Sequence, residues 1–275
     1  MRKVKLGKTG EQVPVLGQGT MGIKSGKDKE YYEKWKDSLR KGIELGMTHI
    51  DTAELYNFGA SERTIGEVIK EYDRDDVFIT SKLFPRHLGY DSMIKACNKS
   101  LERLDTKYLD LYLVHFPSLG FSKIKKHMRV MEQLLNEGKI RYIGVSNYSV
   151  DQFKEGQEYL KRAEIVTNQL RANIIKQKHI HNSLPYYKKE GIILTSYSPL
   201  GHRGYTNLSG ELGSKLDQIA ESHNATIQQI ALAWLINHEN VIAIPKAFQV
   251  NHIEANAAAA DIKLTEAELK QFYTE

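Results

Sequence analysis

The sequence predicts a single α/β domain over residues 1–275, a (β/α)8 barrel of the TIM type with an N-terminal β-hairpin closing its bottom. Three observations predict it. Short runs rich in β-branched and aromatic residues alternate with longer amphipathic runs from one end of the chain to the other. No Pro/Ser-rich linker or shift of composition divides the chain. Eight β-then-α units follow one another without an internal hairpin, a pattern that calls for parallel strands joined by helical crossovers.

In chain order, residues 4–6 and 12–15 flank Gly7-Lys8-Thr9-Gly10, the pattern of the hairpin. The barrel strands are read at 15–19, 49–53, 77–83, 109–115, 142–147, 165–170, 192–197 and 241–245. Apolar residues recur at helical spacing over 31–45, 62–72, 92–104, 123–137, 151–160 and 214–223. Ser92 is expected to cap its helix, and Gly46, Gly138 and Gly191 to close others. Residues 227–236, apolar nearly all round Trp234, predict a buried helix rather than a partner groove. The competing architecture, an open doubly wound sheet, usually carries G-x-G-x-x-G after its first strand; Gly17-Gln18-Gly19-Thr20-Met21-Gly22 matches that only in part.

A composition of 41% hydrophobic and 27% charged residues excludes collagen, coiled-coil rod and extended disorder. The net charge of +5 is spread along the chain, so nothing calls for nucleic acid as a partner. Cys97 falls among Met93, Ile94, Leu101 and Leu104 at helical spacing and reads as core. The basic residues near the start precede no apolar stretch, and the run 230–236 is too short to span a bilayer. A cytoplasmic protein with no membrane partner, monomeric or weakly self-associating, is the expectation.

Barrel strands are buried on both faces, so a polar residue at a C-terminal strand end needs a reason, and active sites lie at that face. Gly19, Asp51, Lys82, His115, Asn147, Gln169, Tyr197 and Lys246 stand at successive strand ends. Taken singly, Asp51 could cap a turn, Lys82 reach out to solvent, His115 be a satisfied core imidazole and Tyr56 an aromatic rim. Together they bring an acid, a cation, an imidazole and a phenol to one mouth, the mark of a site whose groups tune one another.

These residues resemble the signature of the aldo-keto reductases, and the resemblance covers almost the whole chain. Asp51-Thr52-Ala53-Glu54-Leu55-Tyr56 with Gly59, then Thr80-Ser81-Lys82, then the run Leu109-Asp110-Leu111-Tyr112-Leu113-Val114-His115 are similar to the family's catalytic motifs. Gly144-Val145-Ser146-Asn147, Asn168-Gln169, Tyr197-Ser198-Pro199-Leu200-Gly201 and Ile244-Pro245-Lys246 are similar to its cofactor-binding strand ends, in order. The resemblance implies reduction of aldehydes or ketones by a reduced nicotinamide cofactor. Tyr56 would be the general acid, Lys82 would stabilise its phenolate and lower its pKa, Asp51 would hold the lysine charged, and His115 would orient the carbonyl. It implies that Tyr197 stacks on the nicotinamide, that Ser146, Asn147 and Gln169 bind its carboxamide, and that Ser198, Leu200 and Gly201, with Pro199 in the same turn, bind the pyrophosphate. Gly19, Thr20, Met21 and Asp51 complete the near end, and Lys246, Ala247, His252 and Asn256 the adenosine end.

The chain departs from the family at that end. Ala247 stands where a serine is usual and His252 where an arginine usually grips the 2′-phosphate of NADP. NADP(H) remains the favoured cofactor, with NAD(H) left open and no metal expected. The loop 116–122 is short, and the chain ends at Glu275 without a long C-terminal loop, so the substrate pocket is expected to be open. Met21, Tyr56, Phe84, Phe116 and Tyr205 are its candidate walls, and His115 its polar contact, suited to a range of small carbonyls. His179-Ile180-His181 has no carboxylate or cysteine at matching spacing and reads as surface loop. Two other functions compete: an aldolase with Lys82 as Schiff-base lysine, which leaves Asn147, Gln169 and Tyr197 without work, and a cofactor-binding regulatory subunit.

Overall fold

Two short strands, β1 (Lys3–Lys5) and β2 (Gln12–Pro14), pair antiparallel around Gly7 and Gly10, both at positive φ. This is the predicted hairpin in a computed structural model that describes residues 1–84, 86, 89–117, 121–201, 204–205 and 208–273. Its Leu6 and Val13 pack against Phe78, Leu111, Leu113, Val166, Ile193 and Ile242, so the hairpin plugs one end of the barrel lumen. Charge fastens it there. Arg141 binds Glu11 of the hairpin at 2.5 Å and Asp110 at 2.7 Å, and Asp110 also accepts from Arg74 at 2.7 Å and from the Ile79 N–H at 2.8 Å.

The strands that follow are β3 (Gln18–Gly19), β4 (His49–Asp51), β5 (Phe78–Leu83), β6 (Leu109–Val114), β7 (Ile140–Ser146), β8 (Ile165–Arg171), β9 (Ile193–Tyr197) and β10 (Val241–Ala243). They form one eight-stranded parallel sheet in sequence order. Its two edges meet: Gly17 donates to the Ala243 carbonyl at 2.9 Å, Ala243 to Val15 at 2.9 Å and Gly19 to Pro245 at 3.0 Å. Glycine is needed at this seam, because a Cβ on Gly19 would lie 2.7 Å from the Ile244 carbonyl oxygen. The first and last strands are shorter than predicted because their remaining residues serve the seam instead of a regular ladder.

Between the strands run α1 (Lys29–Glu44), α2 (Ala60–Ile69), α3 (Tyr90–Leu104), α4 (Phe121–Asn136), α5 (Val150–Glu158), α6 (Lys178–Asn182), α7 (Leu184–Glu190), α8 (Gly210–Ser222) and α9 (Ile227–Ile236), and after the last strand follow α10 (Val250–Ala258) and α11 (Glu266–Gln271). Gly46, Gly138 and Gly191 sit past helix ends at φ of 85°, 68° and 72°, as their positions predict. Ser92 is not the cap. Helix α3 begins earlier, after Gly89, and Ser92 reaches back from inside the first turn, accepting from Gly89 N–H at 3.1 Å and donating to its carbonyl at 2.7 Å. Helix α9 is buried from Ile230 to Ile236, where each large apolar side chain contributes about 1.5–3 kcal/mol. Cys97 is core, its thiol pushed up to about 12 by burial. His179 and His181 lie on the short helix α6 rather than in a loop, bonded to Ser183 and Gln177. No helix among the described residues is long and apolar enough to cross a membrane. Of the short loop 116–122, residues 118–120 lie outside the described residues.

Candidate active site

Strand alternation and register bring the acid and the cation together. Asp51 pairs with Thr80 across β4 and β5, and Lys82 points the same way as Thr80, one step nearer the mouth. Its ammonium is wholly buried and its three donors all have partners: Asp51 Oδ1 at 2.5 Å, the Thr52 carbonyl at 2.7 Å and Tyr56 Oη at 3.3 Å. Asp51 keeps its other oxygen on Gln169 Nε2 at 2.7 Å, a bond that crosses the barrel from β8.

Tyr56 is held by the loop after β4. The next three residues are all left-handed, Asn57 at φ 49°, Phe58 at 55° and Gly59 at 78°, and Asn57 Nδ2 ties the turn to the Ile23 carbonyl at 2.6 Å. Gly59 leaves room for Arg103, whose Cδ would stand 2.3 Å from any Cβ there. Arg103 binds the fully buried Glu62 at 2.6 Å, and Glu62 accepts from Ser81, the neighbour of Lys82, at 2.7 Å. One buried ion pair thus joins the segment carrying Tyr56 to the strand carrying Lys82.

The electrostatics differ in one respect from the sequence expectation. Burial raises the Tyr56 pKa above 10 and outweighs the downward pull of Lys82, so the phenol stays protonated. For Lys82, burial acts downward, but Asp51 and Tyr56 hold the ammonium above its ordinary value. A lysine kept charged in this way is the wrong state for Schiff-base attack. His115, beside Tyr56 with ring centroids 6.0 Å apart and stacked on Phe116 at 4.6 Å, is pushed down to about 3 by burial and then by Lys82. It is neutral, and its buried Nδ1 has no hydrogen-bond partner among the described residues.

Ser146, Asn147 and Gln169 form a network of their own. Asn147, left-handed at φ 62°, donates to the His115 carbonyl at 3.1 Å and to Ser146 Oγ at 3.0 Å, and accepts from Tyr197 Oη at 2.9 Å. Ser146 donates to the Gln169 carbonyl at 2.9 Å. These three do not line the cleft that opens above them, whereas Tyr197 does.

That cleft, about 590 Å³, is lined by Gly19, Thr20, Met21, Asp51 and Tyr56, by Tyr197, Ser198, Pro199, Leu200 and Gly201, and by Lys246, His252 and Asn256. Ala247 lies buried behind the cleft, its carbonyl accepting from Ser38. Phe84, half-buried with its N–H on Glu54 at 2.6 Å, and Phe116, exposed, stand at the Tyr56 end outside the cleft proper. Tyr205 is not a wall: it is buried and supports the turn from behind through the Pro199 carbonyl at 3.0 Å. Thr226 and Gln228, at the start of α9, also line the cleft and were not legible as site residues. The Thr226–Gln229 capping box is the signal that would have placed that helix end at the mouth.

The sequence model of the aldo/keto reductase family matches residues 15–273, all eight barrel strands and the whole cleft. The chain belongs to the aldo/keto reductase family. It is an oxidoreductase of that family similar to methylglyoxal reductase YeaE of Escherichia coli, 37% identical over 94% of this chain and 89% of the relative. It is also 36% identical to glyoxal reductase of Bacillus subtilis, over 94% and 88% of the two chains. A thermostable aldo-keto reductase solved with the inhibitor epalrestat superposes at a TM-score of 0.91 with 40% identity, covering 99% of this chain and 98% of its own. One from Klebsiella pneumoniae, solved with NADP and acetate, gives 0.86 and 34%, over 98% and 94%.

Proposed function

We propose that this aldo-keto reductase reduces small aldehydes and ketones to alcohols with NAD(P)H, and that Tyr56 is the proton donor. The observation that carries the reading is the fully buried Lys82 ammonium shared between Asp51 and Tyr56, both of which line the cleft. The cleft suits a nicotinamide dinucleotide: its lining combines an aromatic face, Tyr197, with the hydroxyl and turn backbone of residues 198–201 and a cation, Lys246. Tyr197 would face the nicotinamide; Ser146, Asn147 and Gln169 would take its carboxamide by exchanging present partners; residues 198–201 would take the diphosphate; Lys246, His252 and Asn256 the adenosine end, with Ala247 behind them. Once bound, the reduced nicotinamide supplies hydride to the carbonyl carbon.

The residues do the rest. Tyr56 passes its hydroxyl proton to the carbonyl oxygen, and the phenolate left behind faces an ammonium 3.3 Å away. Each pKa unit that Lys82 takes off the phenol is worth about 1.4 kcal/mol. Asp51 and the Thr52 carbonyl keep that ammonium from swinging toward the substrate. Neutral His115 orients the carbonyl without competing as an acid. Met21 and Phe116 are exposed at the rim, which favours small carbonyls of varied shape, among them the α-oxoaldehydes for which the two relatives are named.

The direct test is loss of the near-ultraviolet absorbance of NADPH and NADH with methylglyoxal, glyoxal and simple aromatic aldehydes. Turnover is expected; tight cofactor binding with no turnover across the panel would overturn the reading in favour of a regulatory protein. The pH profile follows from the two shifted groups. With His115 protonating only near pH 3 and Tyr56 above its ordinary value, reduction should be flat from pH 5 to 8 and fall only on the alkaline side, as the phenol loses the proton it must donate. An acid limb near pH 6.5 would contradict this placement of His115.

For the cofactor, NADP(H) is favoured by the NADP-bound relative and by Lys246, exposed and without an ion-pair partner among the described residues. Substituting His252→Arg should raise NADPH affinity roughly tenfold and NADH affinity far less, since a charge-assisted pair on the 2′-phosphate is worth about 1.5 kcal/mol or more. Fluorescence titration with both cofactors checks it, and equal gains would show that His252 does not face that phosphate.

A further inference from the structure

Of the buried carboxylates among the described residues, Asp51 holds Lys82 and Asp110 helps to anchor the hairpin through Arg141, but Glu62 does neither. It stands in the first turn of α2, wholly buried against the outer face of the sheet. That face is otherwise apolar here: Ser81, which bonds Glu62, stands on β5 between Ile79 and Leu83, both with no exposure. Apolar groups of similar volume often pack in place of a buried ion pair with no loss of stability. The carboxylate is better explained by what it holds.

It holds two backbones. One oxygen accepts from Ser81 Oγ at 2.7 Å, and Ser81 turns outward where its neighbour Lys82 turns into the lumen. The other accepts from Arg103 Nε at 2.6 Å, whose guanidinium also reaches Ser100 at 3.2 Å and whose stem lies directly under Gly59. Gly59 closes the left-handed run that begins just after Tyr56. The residue before Glu62 reinforces the grip: Ser61 accepts from Thr52 Oγ1 at 3.0 Å, and the Thr52 carbonyl is itself a partner of the Lys82 ammonium. The first turn of α2 thus fastens the strand ends of β4 and β5 and the turn between them from outside the barrel.

We propose that Glu62 is a positioning residue, which through Ser81 and Arg103 holds the backbone of Lys82 against the turn of Tyr56 and so sets the separation across which the ammonium stabilises the phenolate. This deepens the functional reading and rests on it. Glu62 does not line the cleft, so it acts on the proton donor without touching carbonyl or coenzyme. The separation it sets is 3.3 Å, and a misplacement of about 1 Å between reacting groups can cost about 10²-fold in rate.

The variant Glu62→Gln keeps the shape and removes the charge. It is assayed with methylglyoxal in H2O and in D2O, and titrated with NADPH by fluorescence. Its kcat is expected to fall roughly 10- to 100-fold, with KM and the NADPH Kd nearly unchanged. The solvent deuterium isotope effect on kcat should rise, because transfer of the Tyr56 proton then limits the rate more. A residue that only stabilised the fold would lower activity in step with the folded fraction and leave the isotope effect alone, and that result overturns the proposal. Because Glu62→Gln strands Arg103, a second variant, Glu62→Leu with Arg103→Met, replaces the pair by apolar groups. Its unfolding midpoint in denaturant should return close to that of the unaltered protein while kcat stays low; recovery of kcat together with the midpoint overturns the proposal as well. Tyr56→Phe, measured alongside, separates the two levels. Near-full turnover in Tyr56→Phe would bring down the functional reading and this assignment together, whereas an inactive Tyr56→Phe beside an unimpaired Glu62→Gln brings down this assignment alone.

Discussion

Replacing Tyr56 with phenylalanine is expected to lower carbonyl turnover roughly 10²- to 10⁴-fold, the worth of a positioned general acid, with cofactor affinity nearly unchanged. The substitution is clean. The ring keeps its edge contact with His115 at 6.0 Å, and Lys82 keeps Asp51 and the Thr52 carbonyl, losing only its longest hydrogen bond, 3.3 Å. Steady-state rates with methylglyoxal beside fluorescence titration of the cofactor separate the two quantities. Turnover close to that of the unaltered protein would remove Tyr56 from the role of proton donor.

Lys82→Met is expected to damage both folding and function. It leaves the Asp51 carboxylate buried with Gln169 as its side-chain partner, and stranding one half of a buried ion pair typically costs about 3–5 kcal/mol. Turnover should fall at the same time, because nothing then stabilises the phenolate. The double variant Asp51→Asn, Lys82→Met separates the effects: unfolding in denaturant should show much of the stability restored, while activity stays lost. A single variant as stable as the unaltered protein would mean that the pair is not buried in solution as it is here.

The barrel was legible because its strands and helices differ in period and its crossovers end on glycine. Asp51 and Lys82 were legible because a charge at the end of an otherwise apolar strand has few structural excuses. What stayed hidden depends on packing from several elements at once. The pattern of α2 and α3 cannot say that Glu62 and Arg103, 41 residues apart, turn toward each other and toward Ser81. Nor can spacing show that burial outweighs Lys82 at the Tyr56 phenol, since desolvation is set by everything around it. Ser146, Asn147 and Gln169 were found as residues, but their present bonds to one another and to Asp51 run between strands and leave no trace in a linear motif. Tyr205 was misread for the same reason: a tyrosine after a cleft turn has the same letter whether it faces the ligand or props up the wall.

The order of strands around the barrel has a consequence for how the molecule can vary. Asp51, Tyr56, Lys82 and His115 all come from the chain through β6, while Ser146, Asn147, Gln169, Tyr197 and Lys246 come from β7 onward. On the proposed reading the first half of the gene encodes the acid and the second half encodes the choice of coenzyme. Gln169 bonds Asp51 across the lumen, and Asn147 bonds the His115 carbonyl at the neighbouring strand end, so the two inheritances are joined. Recombination near Gly138 could therefore exchange coenzyme preference between relatives while leaving proton transfer intact, provided the incoming half still offers an amide to the aspartate.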